Sequence, residues 1–508
     1  MKQPERQFLF RFVFAIFEVL YYQFAMEKLA HLSPQPLFSY FEAICQVPRP
    51  SKKEEKIRNF ILDFAERHNL LSKTDKAGNV LISKPAAPGR ENAPVTTLQT
   101  HLDMVCEKNS DKVFNFDTDP IDPLIDHDWI KANGTTLGAD CGIGIAAQMA
   151  VLSSQEIKHG PLECLFTVDE ETGLTGAFAL EKNFLTGSIL LNLDSEDEGE
   201  IFIGCAGGID TMALFSYTSE KPSSDSAAFK LSVSGLLGGH SGDDIHKNRG
   251  NANKILNRFL WQASRDFNLR LAGFEGGNLR NAIAREANAL IVVPANQQEN
   301  FLEAFHQFGH DVKFEYEINE PYLKIQSAVE PLPETVINRQ TQNKLLNALY
   351  ACPHGILEMS TRMEGMVETS TNLASVKFVE GEKIMITTSQ RSELESRKTN
   401  TARMVRSVFE LAGAEVNHSA GYPGWTPNPD SAILKTTVET YKKLFGTEPL
   451  VRSVHAGLEC GLFLEKYPQL DMVSFGPTIK GAHSPDERLN IETTEKFWKH
   501  LVSILENV

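Results

Sequence analysis

Two short apolar runs, each ending on a cluster of acids, constrain this chain more than any other feature. Residues 161–200 read PLECLFTVDEETGLTGAFALEKNFLTGSILLNLDSEDEGE. Residues 162–168 have the length and composition of a buried strand, and the run stops at Asp169, Glu170 and Glu171. Residues 188–193 repeat the pattern and stop at Asp194. Ends of buried parallel strands are where open α/β sheets keep their ligand crevice. Carboxylates crowded there repel one another and raise each other's pKa unless a cation neutralises them. A lone acidic triplet is commonly a solvated turn, but two strand-end clusters within one such unit favour a metal site.

A chain of 508 residues exceeds one ordinary core, so two or more domains are expected. The hydrophobic share of 42% and charged share of 23% are those of a globular protein in water. A net charge of -16 argues against nucleic acid as a partner, because phosphate binding needs clustered Lys and Arg. The seven cysteines form no C-x-x-C pair, so neither a disulfide framework nor a structural zinc knuckle is indicated. Reduced thiols of this kind fit the cytoplasm.

Residues 8–24 are rich in Phe, Val, Leu and Tyr, with Lys2, Arg6 and Arg11 near the start of the run. A signal peptide or membrane anchor is one reading of them. Against it, Arg11 and Glu18 interrupt the run, at about 3 kcal/mol each in a membrane centre, and no A-x-A cleavage site follows. Residues 1–25 are therefore read as an N-terminal extension outside the fold, and no membrane partner is expected.

The spacing over 37–69 predicts helix, broken at 48–50, and strands follow at 79–83 and 95–101. The second strand runs into His101 and Asp103, which alternation places on one face. A carboxylate beside an imidazole is how metal-bound histidines are oriented, although an isolated H-x-D triplet is more often a satisfied core histidine. Gly138 and Gly142 bracket Asp140 just before a helix from about 143. Asp fills a helix N-cap well, yet paired glycines indicate backbone pressed close to something.

Over 208–421 a βαββαβ pattern occurs twice. The first unit reads strand 229–233, helix from 251, strands 281–284 and 289–293, helix 298–308 and strand 312–318. The second reads strand 322–327, helix 335–350, strands near 363–378 and 383–388, helix 394–411 and strand 415–420. Asn281 of the first falls opposite Asn372 of the second. His240, in a glycine-rich run, belongs only to the first, and Arg391 only to the second. The chain then returns to α/β style, with a helix at 430–445 and a buried strand at 472–475. That strand leads to His483 in a glycine-flanked loop, and a closing helix covers 493–506.

Taken together, TLQTHLDMVCEKN, GTTLGADCGIG, FTVDEETGLTGA, LLNLDSEDEG, GGHSGDDIHKNRGNA and GAHSPDERL resemble the family of dinuclear-zinc exopeptidases and deacylases that includes carboxypeptidases, aminoacylases and carnosinases. The resemblance spans nearly everything from residue 26 onward. It implies an α/β fold in which 26–207 and 422–508 form a zinc-exopeptidase-like catalytic domain, a mixed central sheet flanked by helices. Residues 208–421 would be an inserted α+β lid domain of two ferredoxin-like βαββαβ units.

By motif, His101, Asp140 and Asp194 would hold one metal, and Asp140, Glu171 and His483 the other, with Asp140 bridging. Asp103 would orient His101, and Glu170 would be the general base toward a water bridging the two ions. From the lid, His240 would donate to the developing oxyanion and Arg391 would grip a carboxylate as a fork, with Asn281 and Asn372 as further substrate contacts. The implied cofactors are two divalent ions, zinc first and cobalt or manganese as alternatives. The implied activity is that of a cytoplasmic metal-dependent dipeptidase hydrolysing Xaa-His and other dipeptides. Alternatives are a tripeptide aminopeptidase, an N-acyl amino acid deacylase, or a non-catalytic metal- or peptide-binding relative. A homodimer is compatible with this reading, although the duplicated lid would do within one chain what a partner's lid does in smaller relatives.

Overall fold

The computed structural model describes residues 28–508, so the extension read over residues 1–25 lies outside the described residues. The chain divides into two compact units. Among the described residues, the first comprises 28–203, Asn428–Arg452 and Leu462–Val508, and the second comprises Gly204–Pro427 and Ser453–Gly461. Among the described residues, no helix is long and apolar enough to cross a membrane.

The first unit is built on an eight-stranded mixed sheet. Its order is Leu71–Thr74, Val80–Lys84, Leu162–Thr167, Thr96–His101, Ile189–Asn192, Asp471–Ser474, Glu200–Cys205 and Leu450–Val454. The four central strands, from Leu162–Thr167 to Asp471–Ser474, run parallel to one another. Thr96–His101 and Leu162–Thr167 are buried along their whole length, which explains why they read as continuous apolar runs and not as alternation. Their register pairs His101 with Thr167, and Gln99 with Asn192 on the other side. The acidic strand ends are thereby brought side by side at the carboxyl edge of the sheet.

Helix Ala139–Ser153 packs on Thr96–His101, and helix Gln35–Cys45 packs on that helix in turn. Its sequence, ADCGIGIAAQMAVLS, is apolar on all sides, as a helix buried on all sides must be. A four-stranded sheet ordered Ile479–Lys480, Arg488–Asn490, Trp129–Ala132 and Pro123–Asp126 pins both ends of the 481–487 loop.

The second unit carries a nine-stranded antiparallel sheet. The order is Lys324–Glu330, Ser226–Ser234, Ala287–Pro294, Arg270–Gly276, Val367–Val379, Lys383–Ser392, Gly207–Ser216 and Glu415–His418, with Gly355–Met359 paired to Val367–Val379. The structure corrects three expectations. The strand read at 281–284 is a loop in which Ala282 makes one bridge to His240, and the strand preceding Ala287–Pro294 is Arg270–Gly276. The strand read at 312–318 is the end of helix Gln298–Glu315, which continues because Phe301, Phe305, Gly309 and Val312 keep falling on its buried side. The strand read at 322–327 is Lys324–Glu330 and pairs with Ser226–Ser234, so it closes the first set of elements and does not open the second. The second set takes Gly207–Ser216 as its first strand, paired with Lys383–Ser392 and Glu415–His418. The first set is thus inserted after the opening strand of the second.

Candidate metal centre

His101 ends a central strand and is almost wholly buried. Its Nδ1 lies 3.1 Å from the backbone oxygen of Asp103 and 3.4 Å from Asp103 Oδ1. Its Nε2 faces two carboxylates, Asp140 Oδ1 at 3.1 Å and Asp194 Oδ1 at 3.2 Å. The other oxygen of Asp140, Oδ2, lies 3.2 Å from His483 Nε2, which is also 3.2 Å from Glu171 Oε2. The two oxygens of one aspartate are therefore divided between two sets, His101 with Asp194 and His483 with Glu171. In each set the potential ligand atoms lie within 4.8 Å of one another.

Asp140 is not the helix cap its position allows. Gly138 is the N-cap residue, at φ 69°, and helical backbone begins only after Asp140 and Cys141. The glycines make room for Arg49: a Cβ at Gly138 or Gly142 would fall 2.6 or 2.7 Å from Arg49 Nη2. Arg49 is buried and donates to the carbonyls of Leu102 at 3.1 Å, Asp103 at 2.7 Å, and Gly138. It thus ties the H-x-D segment to the Asp140 loop. Glu487 completes the clamp. Its Oε2 accepts from the N–H groups of Leu137 at 2.8 Å and Gly138 at 2.9 Å, and its Oε1 from Ala139 at 2.7 Å and Asp140 at 3.3 Å.

The turn presenting Glu170 and Glu171 is held in a similar way. Asp103 accepts from the N–H of Glu170 at 3.0 Å, the N–H of Glu171 at 3.2 Å and the Ser51 hydroxyl at 2.7 Å. Asp169, at φ 52°, accepts from the Thr172 and Thr175 hydroxyls, while Glu54 accepts the Asp169 N–H at 3.1 Å. Asp103, Asp169 and Glu54 form a buried acidic trio, but their oxygens serve as acceptors that fix the turn. His483 itself sits at φ 63°, a conformation that a non-glycine residue adopts only where its surroundings enforce it.

The electrostatics show which charge the cluster seeks. Burial alone would push the His101 imidazolium pKa down, yet the Asp194 charge and hydrogen bonds to Asp103, Asp140 and Asp194 raise it well above the ordinary value. Hydrogen bonds to Asp140 and Glu171 raise His483 to about 11. Burial raises Asp194 to about 6, and burial with the Asp140 charge raises Glu196 to about 8. Glu171 Oε1 is buried without a hydrogen-bond partner. Cys141 also lies within the first set, but its thiol donates to the Leu193 carbonyl at 3.3 Å. Two imidazoles and three carboxylates, one of them with an unpartnered buried oxygen, are the donor set of divalent cations, and metal would displace the protons the imidazoles otherwise hold.

In the second unit, His240 and Arg391 meet: Arg391 Nη2 lies 3.3 Å from His240 Nε2. Asn372 is buried and donates to the Ala282 carbonyl at 2.8 Å, with its Oδ1 left without a partner. Asn281 has an exposed side chain, and its backbone carbonyl accepts from the Ser241 N–H at 2.7 Å.

Residues 97–507 match peptidase family M20/M25/M40. The chain belongs to that family. It is 43% identical over 483 residues to the cytosol non-specific dipeptidase of Escherichia coli (strain K12), covering 95% of this chain and 99% of that one. The crystal structure of aminoacylhistidine dipeptidase from Vibrio alginolyticus matches with a TM-score of 0.87 at 45% identity, over 95% of this chain and 98% of that one. A tripeptidase from Staphylococcus aureus shares the fold at 16% identity and a TM-score of 0.55, over 94% and 98% of the two chains.

Three residues of this M20-family chain escaped the sequence reading. Glu487 stands four places after His483 inside GAHSPDERL, and Arg49 lies between two prolines. Glu196 follows Asp194 in LDSED, and its burial beside Asp140 and His483 is visible only in three dimensions. The acid downstream of His483 was the one available signal, and it pointed to no partner.

Proposed function

We propose that the chain is a metal-dependent dipeptidase that releases histidine from Xaa-His dipeptides and accepts other dipeptides. The observation carrying this reading is the division of Asp140 between two imidazole–carboxylate sets, a donor arrangement made for a pair of divalent ions. The names of two relatives at 43% and 45% identity, a non-specific dipeptidase and an aminoacylhistidine dipeptidase, support the substrate class. His101, Asp140 and Asp194 would hold one ion, and Asp140, Glu171 and His483 the other. Zinc suits this mixed set best, with cobalt or manganese also compatible. When bound, such a pair polarises the scissile carbonyl and lowers the pKa of water.

The remaining work falls to the chain's own side chains. Glu170 lies beside His101 and Glu171, and acts as general base, taking a proton from the attacking water and passing it to the leaving amine. Asp103 holds the turn through the N–H groups of Glu170 and Glu171, which sets where the Glu170 carboxylate stands. In the second unit, His240 would donate to the developing oxyanion once its Nε2 no longer accepts from Arg391, and Arg391 binds the substrate's C-terminal carboxylate. Asn372 and Asn281 contribute further polar contacts.

We read residues 208–421 as a lid of two ferredoxin-like βαββαβ halves, inserted between the catalytic segments 26–207 and 422–508. The strand order supports this: fourth, first, third, second in one half, then second, third, first, fourth in the other. The cytoplasm is the compartment that fits the unpaired cysteines.

Steady-state rates on metal-loaded protein with carnosine, other dipeptides, a tripeptide and an N-acetyl amino acid test the function. Turnover confined to dipeptides is expected. Preference for the tripeptide or the N-acyl substrate would reassign the activity within the family, and inertness toward all of them would make the protein a binder.

A further inference from the structure

Arg391 lies on the strand Lys383–Ser392, opposite Gly208 on one neighbouring strand and Ser370 on the other. It is buried, and its groups point at protein acceptors. Nε donates to Ser241 Oγ at 3.4 Å, Nη1 to the Tyr422 hydroxyl at 2.9 Å, and Nη2 to His240 Nε2 at 3.3 Å. A guanidinium carries five N–H donors. One N–H on each Nη is therefore left over, the number a carboxylate takes in bidentate pairing.

Tyr422 takes no part in the metal centre, yet the chain builds a slot for it. A Cβ at Gly208 would fall 2.6 Å from the ring's Cζ and hydroxyl, and a Cβ at Gly457 would fall 2.8 Å from its Cε2. The ring thus fills the space that two glycines leave. Its backbone is locked to Gly208 in both directions, with Tyr422 N–H donating to the Gly208 carbonyl at 2.8 Å and Gly208 N–H to the Tyr422 carbonyl at 3.1 Å. Burial raises the phenol's pKa, so the hydroxyl is protonated at neutral pH. Accepting from Arg391 leaves that proton free to be donated elsewhere.

We propose that Tyr422 and Arg391 form one receptor for the free C-terminal carboxylate of the substrate. Tyr422 fixes the guanidinium through Nη1 and gives its own O–H to the same carboxylate. The inference rests on the reading of Arg391 as the carboxylate-binding residue and extends it to discrimination. A substrate ending in an uncharged amide forfeits the charge-assisted bonds and leaves buried donors poorly paired.

Tyr422→Phe keeps the ring between the two glycines and removes only the hydroxyl. The assay compares a dipeptide with the same dipeptide as its C-terminal amide on metal-loaded enzyme. For Tyr422→Phe, the KM of the dipeptide should rise roughly tenfold with kcat little changed, as expected for weakened ground-state binding, while the amide's KM stays at the parent value. Arg391→Ala is measured beside it and should erase the preference for the acid. If Arg391→Ala erases it but Tyr422→Phe behaves as the parent, the role of Tyr422 is overturned and that of Arg391 stands. If Arg391→Ala keeps the parent's acid-to-amide ratio, the reading of Arg391 falls and the receptor with it. Gly208→Ala, whose methyl displaces the ring, offers a second route to the same rise in KM. A parent-like KM in that variant overturns the inference even should Tyr422→Phe fail to fold.

Discussion

Replacing Glu487 by Gln removes one acceptor oxygen from a carboxylate that serves four backbone N–H groups. The amide nitrogen must then face two of those donors. The less costly orientation sets it against Ala139 and Asp140, since the Asp140 hydrogen bond, at 3.3 Å, is the longest of the four. A hydrogen bond to a charged group contributes about 1.5–3 kcal/mol, and a buried donor left unpaired costs a similar amount. With one strong and one weak hydrogen bond broken, destabilisation of about 3 kcal/mol is expected. That is a large share of a typical domain's ~5–15 kcal/mol. Part of the strain will be relieved by movement of the 137–140 loop, and Asp140 moves with it. Because the two Asp140 oxygens stand between both imidazoles, the proposed sharing of Asp140 implies that zinc affinity should fall about 10–100-fold, as for other residues that support metal ligands. Competition for zinc against a chromophoric chelator measures the affinity, and the denaturation midpoint of the metal-free chain measures the stability. A Glu487→Gln variant with the parent's affinity and the parent's midpoint would show that the loop does not depend on this clamp.

Glu170→Gln should retain both ions by elemental analysis and lose at least ~10²-fold in turnover, and loss of metal would make Glu170 a ligand instead. Asp140→Ala should do the reverse and empty at least part of the centre, so full metal content in that variant would refute the shared-ligand reading. His500 is buried against Tyr441 and Phe475, and its Nε2–H donates to the Thr437 carbonyl at 2.9 Å. Burial pushes its pKa down to about 4. A histidine held neutral stabilises fully above the unfolded value of about 6.5 and loses that contribution as pH falls toward the folded value. About 2 kcal/mol should go between pH 7.5 and 5, and His500→Gln should flatten this part of the stability profile. An unchanged profile would contradict the assignment. Mixing His240→Ala chains with Glu170→Gln chains under subunit exchange should yield no activity if each chain supplies its own lid residues, and recovered turnover would show that His240 crosses between subunits.

The candidate centre was legible because the side chains the structure brings together there follow from chemistry that is local in sequence. Apolar runs buried on both faces must end somewhere, and acids at those ends are visible without any partner. The clamp was not legible, because Arg49 and Glu487 act on backbone amides and carbonyls far away in the chain, and no side-chain pattern records such partners. In the second unit, Arg270–Gly276 and Gly207–Ser216 went unread because glycine and charge dilute their strand character. The stretch 312–318 misled for the opposite reason, since VKFEYEI alternates apolar and charged residues as a strand does, while Val312 belongs to a helical face begun at Phe301. Insertion of one half inside the other was likewise hidden, since strand pairing is not a property of either strand alone. Tyr422 escaped because the space for its ring is made by Gly208 and Gly457, which form a slot only once they are brought together.

The division of Asp140 between two histidines has a consequence in time. Its bond to His483 spans 343 positions of the chain. At ribosomal rates of about 5–20 residues per second, His483 emerges on the order of tens of seconds after Asp140. During that interval the nascent chain already holds His101, Asp140 and Asp194, while the other set lacks its imidazole and the loop lacks Glu487. The centre is therefore completed only once the segment carrying His483 and Glu487 has been made, and a chain that stops before it carries half a site.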